Sequence, residues 1–323
     1  MQIKIEFWLI FILFVATLLG LDLFMFHKKD KAISIKSALW WSLFWIGLAA
    51  VFNIGIYFTA GAIYGEAIGQ QKALEFLTGY LIEESLSVDN LFVFILIFGF
   101  FKIDPKFQHK ILFWGVIGAI VMRAIFIFAG VALLNRFDWI MYIFGAILVY
   151  SGIHLLLEKK DQDDFDPGKN IVIRWFKKIF PVTEDLTSSF FIRKNHIIYA
   201  TPLFITLLLI EVSDLIFAVD SIPAVLSVSK DVFIVYTSNI FAILGLRSLY
   251  FALNGIVDYF HYLRYALAGI LTFIGLKMAI NELSMELGYT FHISNIFSLL
   301  TIVTLLMVSV LFSVIYKSHH SKQ

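Results

Sequence analysis

Two stretches of this chain put carboxylates, amides and hydroxyls where everything around them is apolar. One reads Ile82-Glu-Glu-Ser-Leu-Ser-Val-Asp-Asn-Leu-Phe, the other Ile210-Glu-Val-Ser-Asp-Leu-Ile-Phe-Ala-Val-Asp-Ser-Ile-Pro. At about 100° per residue, Glu83, Ser87 and Asn90 share one helical face, as do Glu211 and Asp214. Facing each other, the two clusters supply about six oxygen ligands, with Asp89 and Ser213 beside them. Oxygen donors without sulfur suit a hard cation such as magnesium, calcium or manganese, and this chemistry alone does not choose among the three. Asp220 lies about 120° from Asp214 on an ideal helix, so it joins the cluster only if Pro223, which cannot donate to the carbonyl of Val219, opens the helix there. The bland alternative is that all these groups merely hydrogen-bond helices together.

The surroundings make such groups costly. Of 323 residues 60% are hydrophobic and only 15% charged, far from the soluble average of about half and a quarter, so the chain reads as an all-α membrane protein. Its lack of cysteine excludes a disulfide framework, a thiolate metal site and a cysteine nucleophile. A formal charge of +1 gives no reason to expect nucleic acid, and no catalytic motif argues for an enzyme. An ionisable side chain in the bilayer costs about 2.5–3.5 kcal/mol even on insertion scales, so each must be paired, hydrated or bound to an ion.

About nine apolar segments are long enough to cross about 30 Å of hydrocarbon as helices. They run over Phe7–Phe26, Ala38–Phe58, Ala73–Phe101, Ile111–Leu134, Trp139–Leu157, Ile197–Leu226, Val232–Leu253, Tyr262–Asn281 and Ile296–Tyr316. The first is read as an uncleaved helix. Lysine and arginine number eighteen in the loops on one side and four on the other (Lys4, Lys72, Arg136, Lys230), which places the N-terminus outside and the C-terminus in the cytoplasm. The loop 158–196 is then cytoplasmic. It opens on Asp161, Asp163, Asp164 and Asp166, a solvated acidic run that does not fit a calcium loop, and continues into an amphipathic stretch (Ile171, Val172, Trp175, Phe176, Ile179 against Arg174, Lys177, Lys178) suited to the surface of an anionic leaflet.

Shifting the sequence by 124 residues aligns Leu86–Val93 with Ile210–Phe217, Arg123 with Arg247, Gly145 with Gly269 and Glu158 with Glu282, without a gap. Residues 73–157 and 197–282 thus form two three-helix units within one transmembrane domain spanning 1–323. An odd number of spans inverts the second copy, a plan that places substrate near the midplane in secondary transporters. Arg123 and Arg247 sit at repeat-related positions, either to compensate the carboxylates when no cation is bound or as structural ion pairs. Lys277 is expected to snorkel, His154 to be packed or locally bonded, and Asp22 and Asn53 to border an access path.

At Glu83-Glu-Ser-Leu-Ser-Val-Asp-Asn-Leu-Phe-Val-Phe and Glu211-Val-Ser-Asp-Leu-Ile-Phe-Ala-Val-Asp-Ser-Ile-Pro-Ala the chain resembles the TerC family of integral membrane proteins, its Alx branch in particular. The resemblance implies manganese(II) export across the bacterial inner membrane, with Glu83, Asp89, Glu211, Asp214 and Asp220 required. Glu84 departs from the pattern, which commonly has a basic residue after the first glutamate. Manganese(II) would be cargo, with no permanently bound cofactor and with lipid as the surrounding partner. A membrane scaffold or assembly factor, and an exporter of a small organic cation, are the rival expectations; no protein partner is indicated.

Overall fold

The structure is a computed structural model that describes residues 5–26, 35–137, 139–253 apart from 158–170, 184, 186 and 195, and 262–320 apart from 288, 290 and 292. The helices are α1 (Ile5–Phe26), α2 (Ile35–Tyr64), α3 (Glu66–Phe100), α4 (Pro105–Arg136), α5 (Ile140–Leu157), α6 (Ile171–Ile179), α7 (Pro202–Leu226), α8 (Val232–Leu253), α9 (Leu263–Glu286) and α10 (Asn295–His320). Seven of them, α2, α4, α5, α7, α8, α9 and α10, are long and apolar enough to cross a membrane, and α1 is a shorter apolar helix. The protein is therefore a helical, multi-pass membrane protein. α3 is absent from the seven although it is 35 residues long, since it carries Glu75, Glu83, Glu84 and Asp89.

Every predicted span appears as a helix, and most extend beyond their apolar cores because polar flanks keep the helical backbone bonded. α3 begins at Glu66 and runs through Gln70, Gln71 and Lys72 before the apolar stretch starts. α4 begins on Pro105 behind Asp104, whose side chain accepts from the Lys106 backbone N–H at 3.0 Å. That bond holds the Asp104 carboxyl below its ordinary range.

The sixth segment departs from expectation at its start. Residues Ile197–Ala200 form a strand, β2, paired antiparallel with β1 (Phe191–Lys194), and α7 begins only at Pro202. Isoleucine and tyrosine favour the strand, while His196 takes a positive φ of 67° in the turn between. Pro202 then opens α7 at the position where its missing N–H costs nothing. Pro223 does not break α7, which stays helical to Leu226. α6 is amphipathic, as its sequence predicts: Ile173 is buried and Phe176 lies 5.4 Å from Phe204 of α7, while Trp175, Ile179 and the basic residues are exposed. The acidic run 161–166 lies outside the described residues.

α8 is the enclosed centre of the bundle, buried along most of its length between α2, α3 and α4. α1 and α2 cover it with aromatic rings, Trp8 and Phe11 against Phe233, and Phe52 against Phe241. Their other faces expose Leu13, Trp40, Leu43 and Phe58, as surfaces meeting lipid do. α3 packs on α8 and α4 on α7, while α5 lies along α9.

α5 and α9 approach closely because both present glycine at their crossing. A side-chain carbon on Gly275 would stand 2.5 Å from the Gly145 carbonyl oxygen, and one on Gly145 would stand 2.9 Å from that of Gly275. Neither backbone can swing aside. Gly275→Ala is accordingly expected to destabilise the bundle: the gain of about 1 kcal/mol in helix propensity is outweighed by an overpacking cost at or above the upper end of about 1–3 kcal/mol. Gly99→Ala, with nothing within 4 Å of the added carbon, serves as the control and should not destabilise. Unfolding midpoints of the two variants in detergent titration check both signs.

Candidate ion-binding site

The two polar stretches meet at the centre of the bundle, and what joins them is an arginine. Arg123 of α4 is 1% exposed, and its guanidinium reaches three other helices. Nη1 donates to Glu83 Oε1 of α3, to Asn239 Oδ1 of α8 at 2.5 Å and to Ser221 Oγ of α7 at 3.5 Å. Nη2 lies 3.7 Å from Asp214 Oδ1 of α7. Asn90 Nδ2 of α3 donates to the same Asp214 oxygen at 3.4 Å. Asn239 is itself anchored, giving a hydrogen bond to the Val235 carbonyl at 3.3 Å.

Two carboxylates and one guanidinium leave a formal surplus of one negative charge where water is scarce. Glu83 is 0% and Asp214 7% exposed. Desolvating such ions costs several kcal/mol each, so the arrangement holds only while the charges stay paired. The pairing is incomplete: among the described residues, Glu83 Oε2 and Ser87 Oγ, one helical turn apart on α3, are buried without a hydrogen-bond partner. These are oxygen acceptors facing no donor, which a cation, a proton or a water would satisfy.

The other predicted residues stand around this pair. Glu211 sits one turn before Asp214 and lies on Gly118 of α4, so closely that a side-chain carbon there would overlap its carboxylate. Glycine at 118 is what admits the acid. Ser213 is half-buried on α7; the side chain of Asp89, like that of Asp22, lies outside the described residues. Arg247 is buried on α8 with its guanidinium carbon 6.0 Å from the Phe113 ring centroid. Together with Arg123 and Asp214 it borders a void of about 10 Å³, space for one water at most.

Asp220 is not part of the cluster. It accepts from Ser151 Oγ of α5 at 2.7 Å, on a different face of α7, as the helical angle predicts once Pro223 leaves the helix intact. Asn53 is half-buried on α2, its Oδ1 without a partner among the described residues. Lys277, expected to snorkel, is instead 2% exposed and donates to Asn295 Oδ1 of α10 at 2.9 Å, while Asn295 Nδ2 donates to the Val228 carbonyl at 3.2 Å. A fixed hydrogen-bond acceptor inside the fold relieves the need to reach the interface. Glu84, the departure from the family pattern, meets Tyr80 on its own helix rather than a basic residue. Among the described residues no three His, Asp or Glu side chains converge as a ready-made metal site.

Sequence reasoning did not find Asn239, Ser221 or Ser151. Asn239 had a signal, an amide in an apolar helix, but the 124-residue shift sets it against Gly115 and so does not flag it. A second polar network lies where α3 begins and the α7–α8 turn passes. Glu75 accepts from Gln71 Nε2 at 2.7 Å, Lys72 Nζ at 2.8 Å and Ser229 Oγ at 2.6 Å, and Lys72 is also 3.4 Å from Asp231 Oδ2.

A multi-pass helical bundle with a buried, charged, oxygen-rich centre is thus the class of protein that fold and site define. The sequence matches the family described as integral membrane protein TerC family over residues 68–321, and the chain belongs to that family. It is 47% identical over 274 residues to the uncharacterized membrane protein STKORF319 of Myxococcus xanthus, covering 84% of this chain and 83% of that one. It is 44% identical over 293 residues to Alx of Escherichia coli K12, covering 88% and 91%, a protein whose name describes it as a candidate membrane-bound redox modulator. An uncharacterized membrane protein of Rickettsia felis is 42% identical over 312 residues, 96% of this chain and 98% of the other. No solved structure matches.

Proposed function

We propose that the chain exports manganese(II) across the bacterial inner membrane in exchange for protons, using Glu83, Asp214 and their oxygen-bearing neighbours as the ion site. The observation that carries this reading is Arg123 lying between two buried carboxylates on α3 and α7. A guanidinium in that place is a stand-in for the cargo: it makes the empty site tolerable in the bilayer and has to yield when a divalent ion arrives. Protons on the vacated carboxylates would serve the return step, keeping the charge moved per cycle low. α3 and α7 belong to the two proposed inverted units, and Asn90 and Asp214, which hydrogen-bond, are 124 residues apart. A residue touching its own repeat mate is what a two-fold axis through the site would produce.

Hard oxygen donors support a hard cation, and the family resemblance supports manganese within that class. The void of about 10 Å³ beside Asp214 suits an ion and not an organic cation. Thiol chemistry, one way to read the redox role in the Alx name, has no cysteine to act through here. The orientation with the N-terminus outside rests on the distribution of basic residues. Manganese(II) uptake into inside-out vesicles under an imposed pH gradient tests the proposal. Uptake that depends on the chain and collapses with the gradient is expected. Absence of uptake where a known manganese carrier works in the same membranes overturns it in favour of a scaffold role.

A further inference from the structure

A cavity of about 320 Å³ lies between α3, α5, α7 and α9, and its polar lining includes Asn90, Ser151, His154, Asp220 and Ser221. Two of these residues also belong to the central cluster. Asn90 donates to Asp214, and Ser221 accepts from Arg123. The remaining three are not engaged by that cluster. Asp220 Oδ1 is held by the Ser151 hydroxyl at 2.7 Å, and His154 stands one turn further along α5, its ring 5.8 Å from that of Tyr150.

The difference in size between the two spaces has a chemical meaning. At about 10–15 Å³ of such space per water, six waters need about 60–90 Å³; the cavity exceeds that, and the void beside Asp214, about 10 Å³, does not approach it. An ion can stand in the first with its water shell and in the second only without it. A carboxylate, a hydroxyl and an amide around the larger space are groups that hold a hydrated cation through its waters.

We infer that this cavity is a vestibule in which Asp220 and Ser151 hold a divalent cation still carrying most of its water, before it is stripped at Asn90 and Ser221 and passes to Glu83 and Asp214. This rests on the reading of the chain as a divalent-cation transporter and adds to it a second station, with a contribution from α5. Ser151 fixes one oxygen of the Asp220 carboxylate, and both residues line the cavity; His154 lines it from the same helix as Ser151.

Equilibrium binding of manganese(II) to the full chain in nanodiscs, followed by electron paramagnetic resonance, tests it. In Asp214→Asn, where the central site is disabled, manganese(II) is expected still to bind and its proton hyperfine spectrum to show most of the six waters retained. Adding Asp220→Asn, which keeps an acceptor for Ser151, should weaken that binding at least tenfold. Adding Leu271→Trp instead, which takes the room of about two waters and replaces an apolar lining residue, should weaken it as well. Binding in Asp214→Asn that ignores both changes, or that shows an ion stripped of water, overturns the vestibule. Failure of the transport reading looks different: no flux from the wild type, with vestibular binding intact.

Discussion

Asp214→Asn is expected to bring manganese(II) flux down to that of empty vesicles while the protein reaches the membrane at wild-type abundance. The asparagine oxygen can still accept from Asn90 Nδ2, so the geometry that joins α3 to α7 survives. What disappears is one of two negative charges available to a cation once Arg123 withdraws. Removing one partner of a buried, hydrogen-bonded charge pair costs about 2–5 kcal/mol, or about 30-fold and upward in occupancy of the site. Wild-type flux in this variant, at equal abundance and under the same gradient, would remove Asp214 from the ion's path and with it the site as assigned.

Arg123→Met is expected to be among the most destabilising single changes in the chain. It leaves Glu83, with no exposed surface, and Asp214 facing each other across a gap that water barely enters. Breaking a buried pair by removing one member costs about 3–5 kcal/mol. Glu83→Gln combined with Arg123→Met takes away one of the two stranded charges and the repulsion between them, so the double variant should regain part of the loss while Asp214 keeps its charge. Unfolding midpoints for the four members of this cycle supply the coupling energy. A coupling near zero would mean that the contact between Arg123 and Glu83 contributes nothing to stability in the membrane.

Most of the helical architecture was legible because spanning helices announce themselves by length and apolarity. α8 has the bounds read from the sequence, Val232–Leu253, since charged or turn-forming residues flank it closely. α7 was read as starting five residues early. Ile197–Ala200 is as apolar as a helix start but is committed to Phe191–Lys194 across a turn, a tertiary pairing that hydropathy does not register. The clusters on α3 and α7 were legible from the same property that keeps α3 off the roll of apolar spans: charge where charge is costly. Their joining through Arg123 was visible only as one of two alternatives, because a helical wheel gives the face of a residue and not its neighbour. Asn239 and Ser221 bind Arg123 from helices whose azimuth is set by packing. The helical angle alone separates Asp220 from the cluster; counting it among the ligands relied on an opening at Pro223 that is not there, and its tie to Ser151 depends on which helix happens to lie on that face.

The network around Glu75 has a kinetic meaning. Gln71, Lys72 and Ser229 all bond one carboxylate that is 4% exposed, and Lys72 ties in Asp231 beyond the end of α7. Parting the start of α3 from the α7–α8 turn breaks two of these links, Ser229 to Glu75 and Lys72 to Asp231, so any opening at that end has to give up both. Mobile ions screen charges in solvent far more than those inside a protein. The frequency of such an opening is therefore set by the protein's own bonds and hardly by the saltiness of the medium, so that end of the molecule keeps the same pace in dilute and in brackish surroundings.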